Sequence, residues 1–202
     1  MRYLIAVLAI LSVPQAAAGQ ACIGAPVGTG GAAGEIAGTW TDGSYSAGGA
    51  VRSVSSGGVG VHAGYGIGFP DESPVENHAI TLSVSPDLAS GQLSLCPVVE
   101  ANMEFMTGGP SLGGWTLAGG LGVGGNLGTG EGGWVPFATA ALAQSWIKGG
   151  VAGETVDVED TFGAFSMGIM YEQGRFYLGP EASITTLDGD DPSLGLRFGV
   201  GL

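Results

Sequence analysis

Apolar side chains recur at every second position along most of this chain. In "GVGVHAGYGIGF", Val59, Val61, Ala63, Tyr65, Ile67 and Phe69 share one face, and Gly60, His62, Gly64, Gly66 and Gly68 share the other. "AITLSVSPDL" sets Ile80, Leu82, Val84, Pro86 and Leu88 together. "GQLSLCPVVEANMEFM" separates Leu93, Leu95, Pro97, Val99, Ala101, Met103 and Phe105 from Gln92, Ser94, Cys96, Val98, Glu100, Asn102 and Glu104. The alternation returns in "GWTLAGGLGVGGNL", "RFYLGPEASI" and the terminal "SLGLRFGVGL". Period two is the signature of a β-strand with one apolar face and one small or polar face. Less regular strands fit Gly34 to Thr41, Ser44 to Ser53, Trp134 to Ile147 and Thr161 to Glu172. Trp134 to Ile147 is apolar on both parities, so its facing stays open. The pattern predicts ten strands, or eight if the first pair is misread, and most are about ten residues long. That length crosses a ~25 Å apolar band at a tilt near 40°.

Composition decides what the apolar faces touch. The chain has 202 residues, 41 of them glycine, and only 11 % are charged. Mean hydropathy is +0.35, yet beyond the first residues no apolar run approaches the ~20 that a membrane helix needs. A chain that is apolar overall but lacks apolar runs has the profile of a transmembrane barrel, in which lipid-facing and lumen-facing residues alternate. A soluble sandwich would bury the same faces against a second sheet. The fold class expected is therefore all-β, an antiparallel up-and-down transmembrane β-barrel.

The N-terminus reads as an address. "MRYLIAVLAILSVPQAAA" has Arg2, an apolar stretch and a small-residue site at Ala16 to Ala18, which together make a secretory signal over residues 1–18. Residues 19–33 form a glycine-rich arm, and 34–202 form the barrel. Cys22 and Cys96 are the only cysteines. In an oxidising compartment they read as a disulfide, with two unpaired thiols as the alternative. A bridge would hold the arm at or inside the mouth nearest the termini.

Short joins at the end that carries the termini, "LASG", "TGEGG" and "EQG", contrast with longer or acidic segments at the other end. These are "PDESPVEN", "TGGPSLGG", "KGGVAGETVDVED" and "LDGDDP". Short turns inside and long loops outside are the outer-membrane pattern. With this, the chain resembles the small single-chain outer-membrane barrels of the OmpA-transmembrane-domain and OmpX kind over Gly34 to Leu202, in architecture and without a diagnostic motif. The resemblance implies an outer-membrane location, insertion by the barrel-assembly machinery, and contact with outer-membrane lipid and lipopolysaccharide as a monomer. Members of that class typically end on Phe or Trp; here Leu202 stands at the end and Phe198 four residues before it.

Parity turns Glu35, Arg52, His62, Glu100, Asn102, Glu104, Glu181 and Arg197 into the lumen, with Arg52 and Arg197 as partners for some of the carboxylates. The other lumen positions are mostly Gly, Ser and Ala, which leaves a narrow wet bore or a bore filled by the arm. Lumen-side Gly120 and Gly122 are expected to tolerate serine far better than lipid-side Leu121 or Val99 tolerates arginine.

Of five Lys and Arg, one lies in the leader, against eighteen Asp and Glu. Many of the acids fall in the outer loops: Asp71, Glu72 and Glu76; Glu154, Asp157, Glu159 and Asp160; Asp188, Asp190 and Asp191. The charge disfavours nucleic acid as a partner. The outer acids read first as solvated loops. They also offer oxygen ligands for loosely held Ca²⁺ or Mg²⁺, but "DGDD" lacks an EF-hand pattern, so no ion is assigned and no cofactor is expected. "GLGVGG" fits a dinucleotide pattern without the helix that pattern needs. "GPSLG" places Ser111 near His78 and rim carboxylates, so a surface hydrolase is the minor alternative to a non-enzymatic role. The function expected is structural or surface-interacting, with a narrow pore for small solutes as its alternative.

Overall fold

A computed structural model describes Cys22 and residues 31–71, 75–88, 93–108, 111–128, 132–151, 154–187 and 191–202. The signal segment 1–18, most of the 19–33 arm, and Glu72, Asp188 and Asp190 lie outside the described residues.

Ten antiparallel strands follow one another around a closed barrel. They are β1 (Ala32–Thr41), β2 (Ser44–Val54), β3 (Val59–Pro70), β4 (Glu76–Pro86), β5 (Leu93–Thr107), β6 (Ser111–Gly125), β7 (Gly132–Val151), β8 (Glu154–Gln173), β9 (Phe176–Thr185) and β10 (Ser193–Gly201). Each strand pairs with its sequence neighbours, and β1 closes on β10 from Ala33↔Gly201 to Trp40↔Leu194. No strand is left with a free edge over the body of the wall, so the ladder can satisfy the backbone groups inside a membrane. Proline leaves a visible mark on this ladder. The β8–β9 register steps from Gly168↔Glu181 to Tyr171↔Leu178 across Pro180, which has no N–H to contribute.

Several boundaries differ from the periodicity. β1 starts at Ala32, two residues before the expected Gly34. "KGGVAGETVDVED" is not a loop: β7 and β8 are 20 residues each and stay paired from Gly132↔Gln173 to Val151↔Glu154. Glu154, Asp157, Glu159 and Asp160 are therefore strand residues of a hairpin, and Glu76 opens β4. Val156 and Val158 carry the strand alternation there, but the acids between them read as a solvated loop. The loop-length contrast also fails. The connections 87–92 and 126–131 at the end of the termini are longer than 42–43, 108–110 and 152–153 at the far end, although 186–192 at the far end is longer still, so length does not separate the two ends. It is the β7–β8 hairpin that projects.

The outer face is apolar and exposed. Ile36, Leu142 and Met167 are 63 %, 71 % and 62 % accessible. Within β7 the structure settles the open parity: Trp134 and Leu142 face out, while Val135, Phe137 and Ala143 are buried inside. All four tryptophans lie in two aromatic girdles. Toward the hairpin end stand Trp40, Trp115 stacked on Trp146 at 4.1 Å, and Tyr45 stacked on Phe69 at 4.9 Å. Toward the termini stand Trp134 beside Tyr171 and Phe176 beside Phe198. Trp134 and Trp146 are about a dozen residues apart on β7, roughly 40 Å at ~3.3 Å per residue, and at a ~45° tilt that spans about 28 Å, the height of an outer-membrane apolar band.

Leu121→Arg or Val99→Arg should cost about 2–4 kcal/mol in unfolding from lipid vesicles, the penalty for a cation at mid-membrane depth, whereas Ser183→Ala inside should cost well under 1 kcal/mol. The expectation for Gly120 is corrected: a Cβ there would press into the Ala140 carbonyl and reach 2.6 Å from the Ala141 Cα, so Gly120→Ser should also destabilise. Arginine at Leu121 tolerated as well as alanine at Ser183 would contradict the lipid-facing assignment.

Candidate functional site

Among the described residues, buried charge collects in the bore. Ladder register carries a polar belt across five neighbouring strands. Glu100 of β5 lies opposite Ser83 of β4, Ser83 opposite His62 of β3, and His62 opposite Arg52 of β2. Arg52 reaches diagonally to Glu35 of β1. The Arg52 guanidinium donates from Nε and Nη2 to the two Glu35 carboxylate oxygens at 2.9 Å each. Tyr177 of β9 donates its hydroxyl to Glu35 Oε2 at 2.9 Å, its ring lying over Gly199 of the intervening β10. His62 Nε2 stands 3.7 Å from Glu35 Oε1, and Ser83 Oγ 3.5 Å from His62 Nδ1. A second ion pair joins Arg197 of β10 to Glu181 of β9, with the Arg197 guanidinium 5.6 Å from the centre of the Phe137 ring.

The eight lumen residues expected from parity all face inward, but they form separate groups. Glu35, Arg52 and His62 form one, Glu181 and Arg197 another, and a third runs along β5, where Thr81 donates to Asn102 Oδ1 at 3.1 Å and Asn102 Nδ2 donates to Glu104 Oε1 at 2.8 Å. Glu100 lies between the first and third.

Glycines give this bore its packing. The Tyr177 ring occupies the space that a side chain at Gly199 would fill, and the Phe137 ring does the same at Gly168. Phe137, Val135, Met170, Tyr177, Ala33 and Val54 form the buried apolar cluster at the end of the termini. Cys22 and Cys96 are bonded, with Cα atoms 6.1 Å apart and both residues inaccessible to solvent. A Cβ on Gly122 would stand 2.6 Å from the Cys22 carbonyl oxygen, so Cys22 sits inside the bore against β6. This corrects the expected tolerance of Gly122 to serine. Above the Glu35–Arg52 pair lies a cavity of about 320 Å³ whose lining includes Arg52, His62, Ser83, Glu100, Thr139 and Arg197.

Parity on β9 could have found Tyr177, the residue that sequence reasoning missed, because it alternates with Phe176 and Leu178. Phe137 was hidden by the two-sided apolarity of β7. At the rim, His78 accepts or donates to Tyr65 Oη at 2.6 Å and to Thr107 Oγ1 at 2.9 Å, and stacks on Phe105. Glu76 Oε2 lies 3.6 Å from His78 Nε2. Ser111 opens β6, and its side chain is outside the described residues. Of the outer acids, Asp157 pairs with Lys148 at 3.1 Å and Glu159 accepts from Gln144 at 3.0 Å. Among the described residues no three His, Cys, Asp or Glu side chains converge as a metal site would need.

No family model and no curated protein sequence matches the chain. Several solved structures are similar in fold. The N-terminal β-barrel domain of Pseudomonas aeruginosa OprF is 14 % identical with a TM-score of 0.47, covering 86 % of this chain and 98 % of that one. LpxR from Salmonella typhimurium is 11 % identical with a TM-score of 0.42, covering 84 % and 99 %. The translocator domain of the autotransporter NalP from Neisseria meningitidis is 14 % identical with a TM-score of 0.37, covering 99 % and 93 %. The architecture resembles that of small outer-membrane barrels, as a closed ten-strand up-and-down barrel.

Arg52→Ala leaves Glu35 buried without its bidentate partner and should cost about 3–5 kcal/mol; Tyr177→Phe removes one hydrogen bond to that carboxylate and should cost about 1–3 kcal/mol. Because both act on one carboxylate, their effects in a Glu35→Gln background should shrink rather than add. Urea titration in lipid vesicles checks both the values and the coupling.

Proposed function

We propose that this chain is a monomeric outer-membrane barrel whose bore is closed at the end carrying the termini, and whose work is structural or surface-interacting rather than solute passage. The observation that carries this reading is the blockage itself. The Glu35–Arg52–Tyr177 network lines the β9–β10–β1–β2 side of the bore, with the Tyr177 ring lying over Gly199, while the disulfide-held Cys22 against β6 and the buried Val135, Phe137 and Met170 of β7 and β8 project into the lumen from the other strands. A pore for small solutes would need a continuous wet path, and charged side chains in such a path would face water instead of one another.

The apolar band between the girdles supports the membrane setting, and the export signal supports the outer membrane. In that orientation the termini lie in the periplasm and the β7–β8 hairpin stands outside. Exposure on both parities, with Val158 40 % accessible and Asp157, Glu159 and Asp160 all exposed, supports a hairpin that stands clear of the wall. The acidic rim, with Asp71, Glu76 and Asp191, suits contact through divalent cations with the phosphates of lipopolysaccharide. No catalytic step is part of this reading.

Fractionation should recover the protein in the outer membrane with heat-modifiable gel mobility. In planar bilayers the oxidised protein should give no stable conductance, and reduction, Cys96→Ser or Arg52→Ala should raise it. Losing the Cys22–Cys96 loop, which spans a separation of 74 residues, should also lower stability by up to ~4 kcal/mol on the chain-entropy model. Steady channels in the oxidised wild type would overturn the closed bore.

A further inference from the structure

The charges around the cavity do not cancel. Arg52 is committed to Glu35 and Arg197 to Glu181. Glu100, on the cavity wall, makes no hydrogen bond or ion pair with any described residue, and only the field of the already paired Arg52 guanidinium reaches it. His62 leans toward Glu35, at 3.7 Å, and its Nε2 is buried without a hydrogen-bond partner among the described residues. The belt is thus saturated at its Glu35 end and open at its Glu100 end. A carboxylate one strand away from lipid needs a compensating charge in its ionised form.

The bore offers such a charge a way in. Glu100, Asn102 and Glu104 occupy successive inward positions of β5 toward the hairpin end, roughly 7 Å apart at the strand rise. Asp160, on the inward parity of β8, stands exposed at the rim above. Carboxylates spaced along a lumen wall favour cations and repel anions. At the foot of this track Glu100 and Ser83 lie side by side across the β4–β5 ladder, presenting hard oxygen donors to a cavity with room for about ten waters at ~30 Å³ each.

We infer that the Glu100 end of the belt is a binding site for a small monovalent cation, an alkali ion or a primary ammonium, which enters past Glu104 and Asn102 and rests between Glu100 and Ser83. One carboxylate and a hydroxyl match a single positive charge. A divalent ion would need several carboxylates, and no such group converges among the described residues. The site lies above the Glu35–Arg52 pair and, on the closed-bore reading, opens only toward the hairpin end; it goes beyond that reading and does not depend on what the rim contacts.

The test uses the full mature chain in micelles with ¹³C-labelled glutamate. The side-chain carboxyl resonance of Glu100, assigned by its loss in Glu100→Gln, is followed at fixed pH against potassium chloride, methylammonium chloride and N-methylglucamine chloride. Potassium and methylammonium should each shift it saturably, and the ring resonances of His62 should move with it, while the bulky N-methylglucamine should not shift it. Glu104→Gln should raise the concentration needed for half-saturation. If Glu100→Gln fails to fold, Glu100→Asp, which withdraws the carboxylate from Ser83, should weaken the response and serve for assignment. A resonance that responds to pH alone would mean that a proton supplies the compensating charge, and an equal response to all three salts would mean ionic strength only; either overturns the site. Bilayer conductance of the wild type decides the closed bore separately, so failure of one reading is distinguishable from failure of the other.

Discussion

The closure of β1 onto β10 is the constraint on which everything else in this molecule depends. An open ten-strand sheet would leave two rows of unpaired N–H and C=O groups in hydrocarbon, each costing several kcal/mol. Once the ring is closed, the backbone is satisfied without help from side chains, and each residue is free to answer a single question, which side of the wall it faces. Apolar residues then pack against lipid, and the inward positions are left with a narrow space to fill. A wall this thin puts buried charges within one strand of lipid. The bore must therefore neutralise its own acids, and Glu35 shows how thoroughly it does so, with Arg52, Tyr177 and His62 all gathered on one carboxylate.

Glycine plays two roles here, and they are easily confused. Much of it is simply the small residue that alternates with lipid-facing side chains. At a few inward positions, however, glycine is required by close approach. Gly199 accommodates the Tyr177 ring, Gly168 the Phe137 ring and Gly122 the Cys22 backbone. These three contacts let two aromatic rings and the disulfide-bonded Cys22 lie within the bore. The packing of the interior is therefore built from missing side chains as much as from those present.

Period two made the ten strands and the facing of the lumen charges legible, because a strand in a closed wall has only two faces and a single residue type on one of them fixes the other. The signal failed where both parities are apolar, as between Trp134 and Ile147, since there the inner face is itself part of the buried cluster. It also failed in "ETVDVED", where acids in a hairpin beyond the membrane obey solvent and not lipid, and so look like a loop. Which charge meets which could not be read from parity, because partners such as Glu35 and Tyr177 come from strands far apart in sequence and meet only because closure sets β1 and β9 on either side of β10. β7 and β8 stay paired out to Val151↔Glu154, and no local feature of Gly149 and Gly150 marks where a strand stops.

Charge placement then distinguishes the two ends of the bore. Toward the termini Arg52 and Tyr177 both donate to Glu35 beside a buried apolar cluster, an arrangement that resists hydration because the carboxylate already has its donors within the protein. Toward the hairpin the inward groups are hydroxyls, an amide and carboxylates spaced along β5, an arrangement that wants water or cations. On the closed-bore reading proposed above, a lumen apolar at one end and polar at the other acts as a pocket and not a conduit. Its depth is set by where the Arg52 guanidinium reaches Glu35, and that reach is fixed by the register of β1 on β2, so the ladder that closes the wall also sets how far the pocket extends into it.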